Sequence, residues 1–504
     1  MPTAPEPLVF QPILLGPEFW KKVPPIEPPP RPGWAVLPPA KPGYFSLRDR
    51  IEGNFREKPP KFPYPPTSLN PDSFFNADFR YLSDPENTQF DFFDAFKRWQ
   101  AGDNFLLSSG GEFRYRYMGE LNSRLSGADN DYHQLRGRVY GDVWFRNKAR
   151  VFVEFLSATQ AGNERPALLI DRNPADLLNL FVDWKVFQDA GTPSYLRVGR
   201  QELLFGSQRL VSPLEWANNR RTFEGFRWFW HAPEWNVDVF AVRPVIPNAV
   251  EFDERDVDQT FAGFWLTKKI KPGTVRDYYV LFLSNARPVL GRNGQRGGQE
   301  ATTFGTRWSG DHDGRWLYDF EGMYQTGNRA FQTVSAGTYA AGIGYRAKNV
   351  DWNPTFWAYN EWASGTPDPA TSLRYSTFNP LFPFGHLYFG FLDLVGRQNI
   401  NDFNMQLSVH PANWVLALVQ YHHFSLVHAK DALYNAGGAA LRRDPTGGSG
   451  RFVGQEVDAL VNLHLSAHQD LLFGYSVLFP GEFIQNTGTG AVAHLLYGQY
   501  SFKW

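Results

Sequence analysis

From about residue 105 to its end, the chain repeats one pattern: polar or charged residues alternate with apolar or aromatic ones. Gly111-Glu112-Phe113-Arg114-Tyr115-Arg116-Tyr117 sets aromatics against charges. Gln134-Leu135-Arg136-Gly137-Arg138-Val139-Tyr140-Gly141-Asp142-Val143-Trp144-Phe145 and Tyr318-Asp319-Phe320-Glu321-Gly322-Met323-Tyr324-Gln325 do the same. Successive side chains of a strand point to opposite faces, so each segment has one lipid-compatible face and one strongly polar face. A soluble sandwich alternates as well, and the connections separate the two cases. The pattern predicts about 18 strands, starting near residues 111, 131, 149, 176, 194, 222, 235, 259, 275, 300, 315, 334, 353, 401, 413, 453, 469 and 491. Links after even-numbered strands are short turns, such as Asn147-Lys148, His231 to Glu234, Gly310 to Gly314, Pro411-Ala412 and Ser466 to His468. Links after odd-numbered strands are mostly long and polar: 159–175, 203–221, 244–258, 285–299, 363–400 and 425–452. Short turns on one rim and long loops on the other are the asymmetry of an outer-membrane barrel. The expected fold is therefore all-β: a single transmembrane antiparallel β-barrel of about 18 strands over residues 105–504, in the bacterial outer membrane.

Composition permits this and removes other classes. No stretch approaches the roughly 20 consecutive apolar residues of a membrane helix, and mean hydropathy is −0.41. A barrel escapes that test because only alternate residues meet lipid. Seventeen Trp, 22 Tyr and 44 Phe among 504 residues suit a lipid-facing surface. A net charge of −1 gives no reason to expect a nucleic-acid partner. With no Cys there are no disulfides or thiolate metal sites. The N-terminus shows no basic region followed by an apolar run, so the chain reads as a processed or re-engineered form of an exported protein. The plain alternative is a protein that stays in the cytoplasm.

Half of the 38 prolines fall before residue 67, in runs such as Pro24-Pro25, Pro28-Pro29-Pro30 and Pro65-Pro66. Such a stretch cannot form interior helix or central strand. Residues 1–104 are thus expected to be a mostly irregular Pro-rich extension, whose residues 1–100 could engage a periplasmic partner. Phe90, Phe93, Phe96 and Trp99 recur at three-residue spacing, which predicts a short helix over 90–99. It would pack on the barrel end or lie on the membrane surface. The chain ends on an alternating strand, Val492 to Trp504, with a terminal aromatic.

Several blocks resemble the alginate export family of outer-membrane β-barrel porins. Gly110 to Tyr117 is similar to its first strand. Leu196-Arg197-Val198-Gly199-Arg200-Gln201-Glu202-Leu203 is similar to its most recognisable block, together with Gly206, Arg209-Leu210-Val211, Pro213 to Trp216 and Arg221 to Gly225. Tyr359 to Gly365, Phe378 to Pro383, His386, Tyr388, Gly390, Asp393 and Gly396 continue it, as do Gly454, Glu456, Asp458, Gly474-Tyr475 and Phe479 to Phe483. The resemblance covers roughly residues 105–504. It implies an 18-stranded channel that passes an anionic polysaccharide without chemistry on it.

A carboxylate entering a narrow channel loses hydration, so fixed positive charge on the wall is needed, and arginine can pair it at two points. The expected lumen arginines are Arg114, Arg116, Arg136, Arg138, Arg197, Arg243 and Arg307, with Arg200 from the family-like block. Arg197 and Arg200 can share a face only across a bulge. Carboxylates share the expected inner face: Glu112, Asp142, Glu154, Asp183, Asp319, Glu321, Glu361, Glu456 and Asp458. The bland reading is that the two signs pair across strands and stiffen the wall. This mixture departs from an arginine-dominated lumen and bears on alginate itself more than on the channel. Loop 363–400, with Phe382, His386 and Asp393, could fold inward as a lid or cap the outside.

No catalytic constellation is evident. His422 and His423 are adjacent in a strand and point apart, against a shared metal. Glu251-Phe252-Asp253-Glu254 could hold Ca²⁺, though a solvated loop is the ordinary reading. No cofactor is expected. The first functional reading is charge-steered passage of an anionic polysaccharide or related polar solute. The others are an uptake porin for small anions or hydrophobic compounds, and a non-conducting barrel that anchors a periplasmic or surface assembly.

Overall fold

The alternating segments pair into one closed sheet. The computed structural model describes residues 37–39, 41–59, 73–83, 91–189 and 191–504. The first barrel strands are β1 Phe105–Leu121, β2 Asn130–Phe145, β3 Ala149–Ala161, β4 Asn173–Asp189, β5 Thr192–Gln201 and β6 Phe223–His231. Next come β7 Trp235–Ile246, β8 Gln259–Lys271, β9 Thr274–Leu290, β10 Arg296–His312, β11 Trp316–Arg329 and β12 Gln332–Arg346. The circle is completed by β13 Thr355–Ala363, β14 Ile400–Ala412, β15 Val415–Leu426, β16 Phe452–Ser466, β17 Gln469–Pro480 and β18 Ala493–Lys503. Each strand pairs antiparallel with the next, and β18 returns to β1 with Glu112 opposite Lys503 and Leu121 opposite His494. The result is a closed antiparallel barrel of 18 strands. Closure leaves no unpaired strand edge, the condition for crossing lipid with strands.

Closure ends on a close backbone approach. Gly111 and Trp504 exchange both backbone hydrogen bonds. A Cβ on Gly111 would sit 2.3 Å from the Arg138 carbonyl oxygen and 2.5 Å from the Trp504 ring. The Gly110-Gly111 pair is therefore what lets the last residue seal the first strand.

The two faces of the sheet are inverted relative to a soluble protein. Along β9, Tyr278, Val280 and Phe282 are exposed, whereas Asp277, Tyr279 and Leu281 are buried. On β10, Phe304 and Trp308 are exposed while Arg307 is 1% exposed. The greasy face points out and the charged face in, as a lipid-embedded barrel requires.

Turns and loops sort as the sequence predicts, with two refinements. Link 285–299 is mostly strand, because β9 and β10 run on to Leu290 and Arg296. On the same rim, β11 and β12 are joined by Ala330 and Phe331 alone, both at positive φ (45° and 69°), as a two-residue hairpin turn demands.

The lumen is not an empty pipe. Links 202–222 and 364–399 fold inward and meet: Val211 and Phe382 form a parallel bridge, and the Ser207 carbonyl accepts from the Tyr388 hydroxyl. Leu203, Phe205, Leu210, Val211, Phe378 and Phe389 are buried with the inward rings Phe240, Phe261 and Trp265.

The short-turn rim carries the N-terminal arm. The proline runs 24–30 and 65–66 lie outside the described residues. Phe92–Phe96 is a 3-10 helix capped by Asp91, and Trp99–Ala101 is a short strand on β1. The expected helix over 90–99 is thus one tight turn, whose three-residue repeat matches that spacing; Phe90 lies outside the described residues. Phe93 packs on Phe502 and His468, whereas Phe92, Phe96 and Trp99 remain exposed. Earlier in the arm, helix α1 (Leu47–Glu52) is capped by Ser46. His410 meets the Leu37 carbonyl, and Asn413 donates to the Lys41 carbonyl.

Candidate functional site

Across the adjacent strands β1 to β5, four strands (β1, β2, β3 and β5) place a file of arginines on one inner wall. In β1 and β2 the i, i+2 spacing turns Arg114, Arg116, Arg136 and Arg138 inward, and the register sets Arg114 directly opposite Arg136. Like charges in that position repel. The inward loop after β5 supplies the acceptors that offset this. Glu215 and Ala217 carbonyls accept from both Arg114 and Arg136, and the Trp216 carbonyl accepts from Arg116 at 2.7 Å.

Carboxylates interleave with this file. Glu112 bridges Arg136 (2.7 Å) and Arg138 (3.0 Å), and Glu154 takes the other side of Arg138 at 2.7 Å. Nearer the short-turn rim, Arg150 pairs with Asp142 and Arg197 with Asp183, both at 2.7 Å. All four of these arginines are buried. Removing one partner from such a pair leaves an uncompensated charge in a dry site, which costs about 3–5 kcal/mol.

A second network lies across β9 to β13. Arg307 joins Asp277 and Asp319. Arg209, carried in by the loop after β5, reaches Asp319 and Glu321 at 2.9 Å and Glu361 at 3.4 Å. Tyr279 donates to Glu321 at 2.8 Å, and Arg397 closes on Glu361.

The wall made by β14 to β16 is different. Glu456 and Asp458 are fully buried and share one face. Among the described residues neither forms an ion pair with Lys or Arg. Their oxygens accept backbone N–H groups of Leu392 and Phe391 and the Gln420 amide. Gly390, at φ 83°, is held against the Glu456 carboxylate, where a Cβ would come within 2.2 Å. The lumen wall is therefore polarised, with arginines along β1–β5 and a carboxylate-rich stretch on β14–β16.

Sequence reasoning placed most, not all, of these side chains. Arg114, Arg116, Arg136, Arg138, Arg197, Arg307, Asp183, Asp319, Glu321, Glu456 and Asp458 are buried on the inner face. Arg200 and Arg243 are corrections. The β5–β6 register runs without a bulge from Ser194 to Gln201, so Arg200 takes the face opposite Arg197 and pairs with Glu224 and Asp176 near the long-loop rim. Arg243 shares the outward phase of β7 and donates to the Val257 carbonyl. Phe382, His386 and Asp393 lie on the inward loop, with His386 3.2 Å from Asp393.

Arg209 and Arg220 were missed as wall residues because they sit on a loop, where no periodicity assigns a face. Arg220 contacts Glu202 and Glu215. Arg150 alternates correctly in β3 and could have been found from phase alone. The acidic run 251–254 is tied into a turn, with Asp253 accepting from Asn173 and the Asn248 backbone. No group of three or more His, Asp or Glu suited to a metal is present among the described residues.

The sequence profile of the alginate export family matches residues 105–497. No curated protein matches the chain. Among solved structures, a BenF-like porin from Pseudomonas fluorescens aligns with a TM-score of 0.52 at 10% identity, covering 79% of this chain and 99% of that one. OpdQ from Pseudomonas aeruginosa aligns with a TM-score of 0.51 at 10% identity, covering 79% of this chain and 97% of that one. At such identity these two share the fold.

Proposed function

The chain belongs to the alginate export family of outer-membrane barrels, and on that premise we propose that it conducts an anionic polysaccharide, or a related polar solute, by charge-steered passage. The observation that carries this reading is the file of inward guanidinium groups on β1–β5, from Arg116 through Arg114, Arg136 and Arg138 to Arg150 and Arg197. Spaced at strand intervals on one wall, they offer a carboxylate successive partners along the barrel axis. Their resident carboxylates keep the ladder from being a trap. A solute carboxylate exchanges with Glu112, Glu154 or Asp183 rather than binding a bare cation, which favours transit over retention.

A second reading has its own support. Two loops fold into the lumen and meet there, an arrangement that suits small anions better than a long polymer. Single-channel recording in planar bilayers separates the two. Anion-selective current blocked by added polyuronate supports the polymer. Anion current indifferent to polyuronate supports small solutes. A channel that passes no ions would leave only an anchoring role for the barrel.

A further inference from the structure

We propose that residues 73–80 are a displaceable plug that occupies the short-turn half of the arginine ladder, competing there with the carboxylates of the solute. Phe74 and Phe75 are 1% and 4% exposed, although they belong to the arm and not to the barrel wall. Their rings enter a cluster of inward side chains: Phe74 lies 5.1 Å from Tyr140, and Phe75 lies 5.8 Å from Phe152 and 5.4 Å from Phe181.

The same two residues engage three ladder arginines. The Arg138 guanidinium sits 4.1 Å over the Phe74 ring and that of Arg197 4.5 Å over Phe75. Arg150 donates to the Phe75 carbonyl at 2.9 Å. A phenyl face and a neutral carbonyl are weak partners for guanidinium compared with a carboxylate, whose hydrogen bonds are charge-assisted and two-pronged. An incoming anion therefore has a chemical advantage at each of these contacts.

The segment is also built to leave without damaging the wall. No part of residues 73–83 pairs into the sheet; its order comes from two short 3-10 helices, Phe74–Asn76 and Arg80–Ser83, from the two rings, and from contacts within the arm, where Tyr81 donates to Asp94 and Lys97 sits over Phe79. Its flanks are fastened elsewhere. Glu57 meets His464 at 2.8 Å, and Asp91 meets His468 at 2.6 Å, both at the short-turn rim. Fastened on both sides, a displaced plug stays beside the mouth and can return.

This inference rests on reading the lumen as an anion path, and two readouts keep the ideas apart. The full-length double variant F74A/F75A in planar bilayers with symmetric KCl should show a several-fold higher unitary conductance than the parent. Equal conductance overturns the plug. Reversal potential under a KCl gradient reports on the path itself. Cation selectivity would sink the anion reading while a raised conductance still upheld the plug as a plug. Because the chain has no cysteine, the F75C/F152C variant gives a second, folded test: once oxidised and shown to be cross-linked, it should conduct poorly until a reductant is added. Current that does not rise on reduction overturns the proposal. Competition is read with the single variant F75C, whose labelling by an impermeant thiol reagent should accelerate several-fold when alginate oligomers are present. Labelling at an unchanged rate rejects displacement by carboxylates.

Discussion

Trp216 and His386, one from each inward loop, stack with ring centroids 3.8 Å apart and planes 10° apart. Arg116 covers the Trp216 ring at 3.8 Å, so a wall residue, the first loop and the second loop form one column. Such stacking and cation–π contacts are together worth about 1–3 kcal/mol. Trp216→Ala should therefore uncouple the loops. Single-channel traces of the variant should show frequent transitions among current levels where the parent is quiet. Traces as steady as the parent's would mean the backbone bridge between Val211 and Phe382 suffices.

Charge balance on the ladder gives opposed predictions for two neighbours. Glu112→Gln removes a resident carboxylate and should raise anion selectivity, while Arg136→Gln should lower it. Each leaves a buried partner exposed to its like-charged neighbours, with a loss of about 3–5 kcal/mol. The double variant should recover most of that stability and return the reversal potential towards the parent value. Thermal unfolding in detergent and bilayer reversal potentials check both parts. Identical reversal potentials in all variants would remove these residues from the ion path.

The arm's fastening at His468 should depend on pH. Both ring nitrogens of His468 face oxygen, Nε2 towards Asp91 and Nδ1 towards the Lys503 carbonyl, which is the arrangement of an imidazolium. Burial opposes the charge and Lys97 repels it, yet the hydrogen bond and charge of Asp91 hold His468 above its ordinary value of 6.5. For Asp91, burial works upward, but its contact with His468 and the hydrogen bonds it accepts from the Phe93 and Asp94 amides override it, holding the carboxyl below 3.8. Asp94, in the same turn, is itself pushed up by burial. His468 thus contributes fully below pH 6.5 and loses its contribution as pH rises through its folded value. Asp91 contributes above pH 3.8 and loses its contribution as pH falls further. A fluorophore on the single cysteine of Phe96→Cys should report an immobile arm between these limits and a looser one in alkali. Asp91→Asn should abolish the alkaline change.

A second pH response belongs to the long-loop rim. Burial first, then the hydrogen bond with Asp176, pushes the Asp253 carboxyl up to about 7. Folded loop 247–258 therefore keeps a proton that the unfolded chain gives up near 3.8. The stabilisation is complete below pH 3.8 and is lost as pH climbs through 7. Hydrogen exchange of residues 248–256, corrected for intrinsic rate, should speed up between pH 5.5 and 8. Asp253→Asn should stay protected throughout, and equal pH dependence in both proteins would discard Asp253 as the cause.

Strand faces were legible because a strand's side-chain phase is local. Glu112, Arg114 and Arg116 must share a side whatever the rest of the chain does, and the greasy residues between them fix which side meets lipid. Arg200 shows the limit of that logic. Membership in a family-like block said nothing about phase, and the unbroken register from Ser194 to Gln201 put it opposite Arg197. For Arg243 the phase of β7 was legible and was misread: Asp238, Phe240 and Val242 are buried one position out of step with it.

What the sequence by itself determined is the cylinder: its strand count, its short and long rims, its apolar outside and its charged inside. Each follows from a two-residue period and from turn lengths, quantities that any short window of chain contains. Only the tertiary structure decided what fills the cylinder. Arg209 meets Glu361 across 152 residues of chain, and Arg150 meets the Phe75 carbonyl across 75. Loops and arm carry no period that names a face, so their place was set by which buried charges and rings lacked partners once the wall had closed around them.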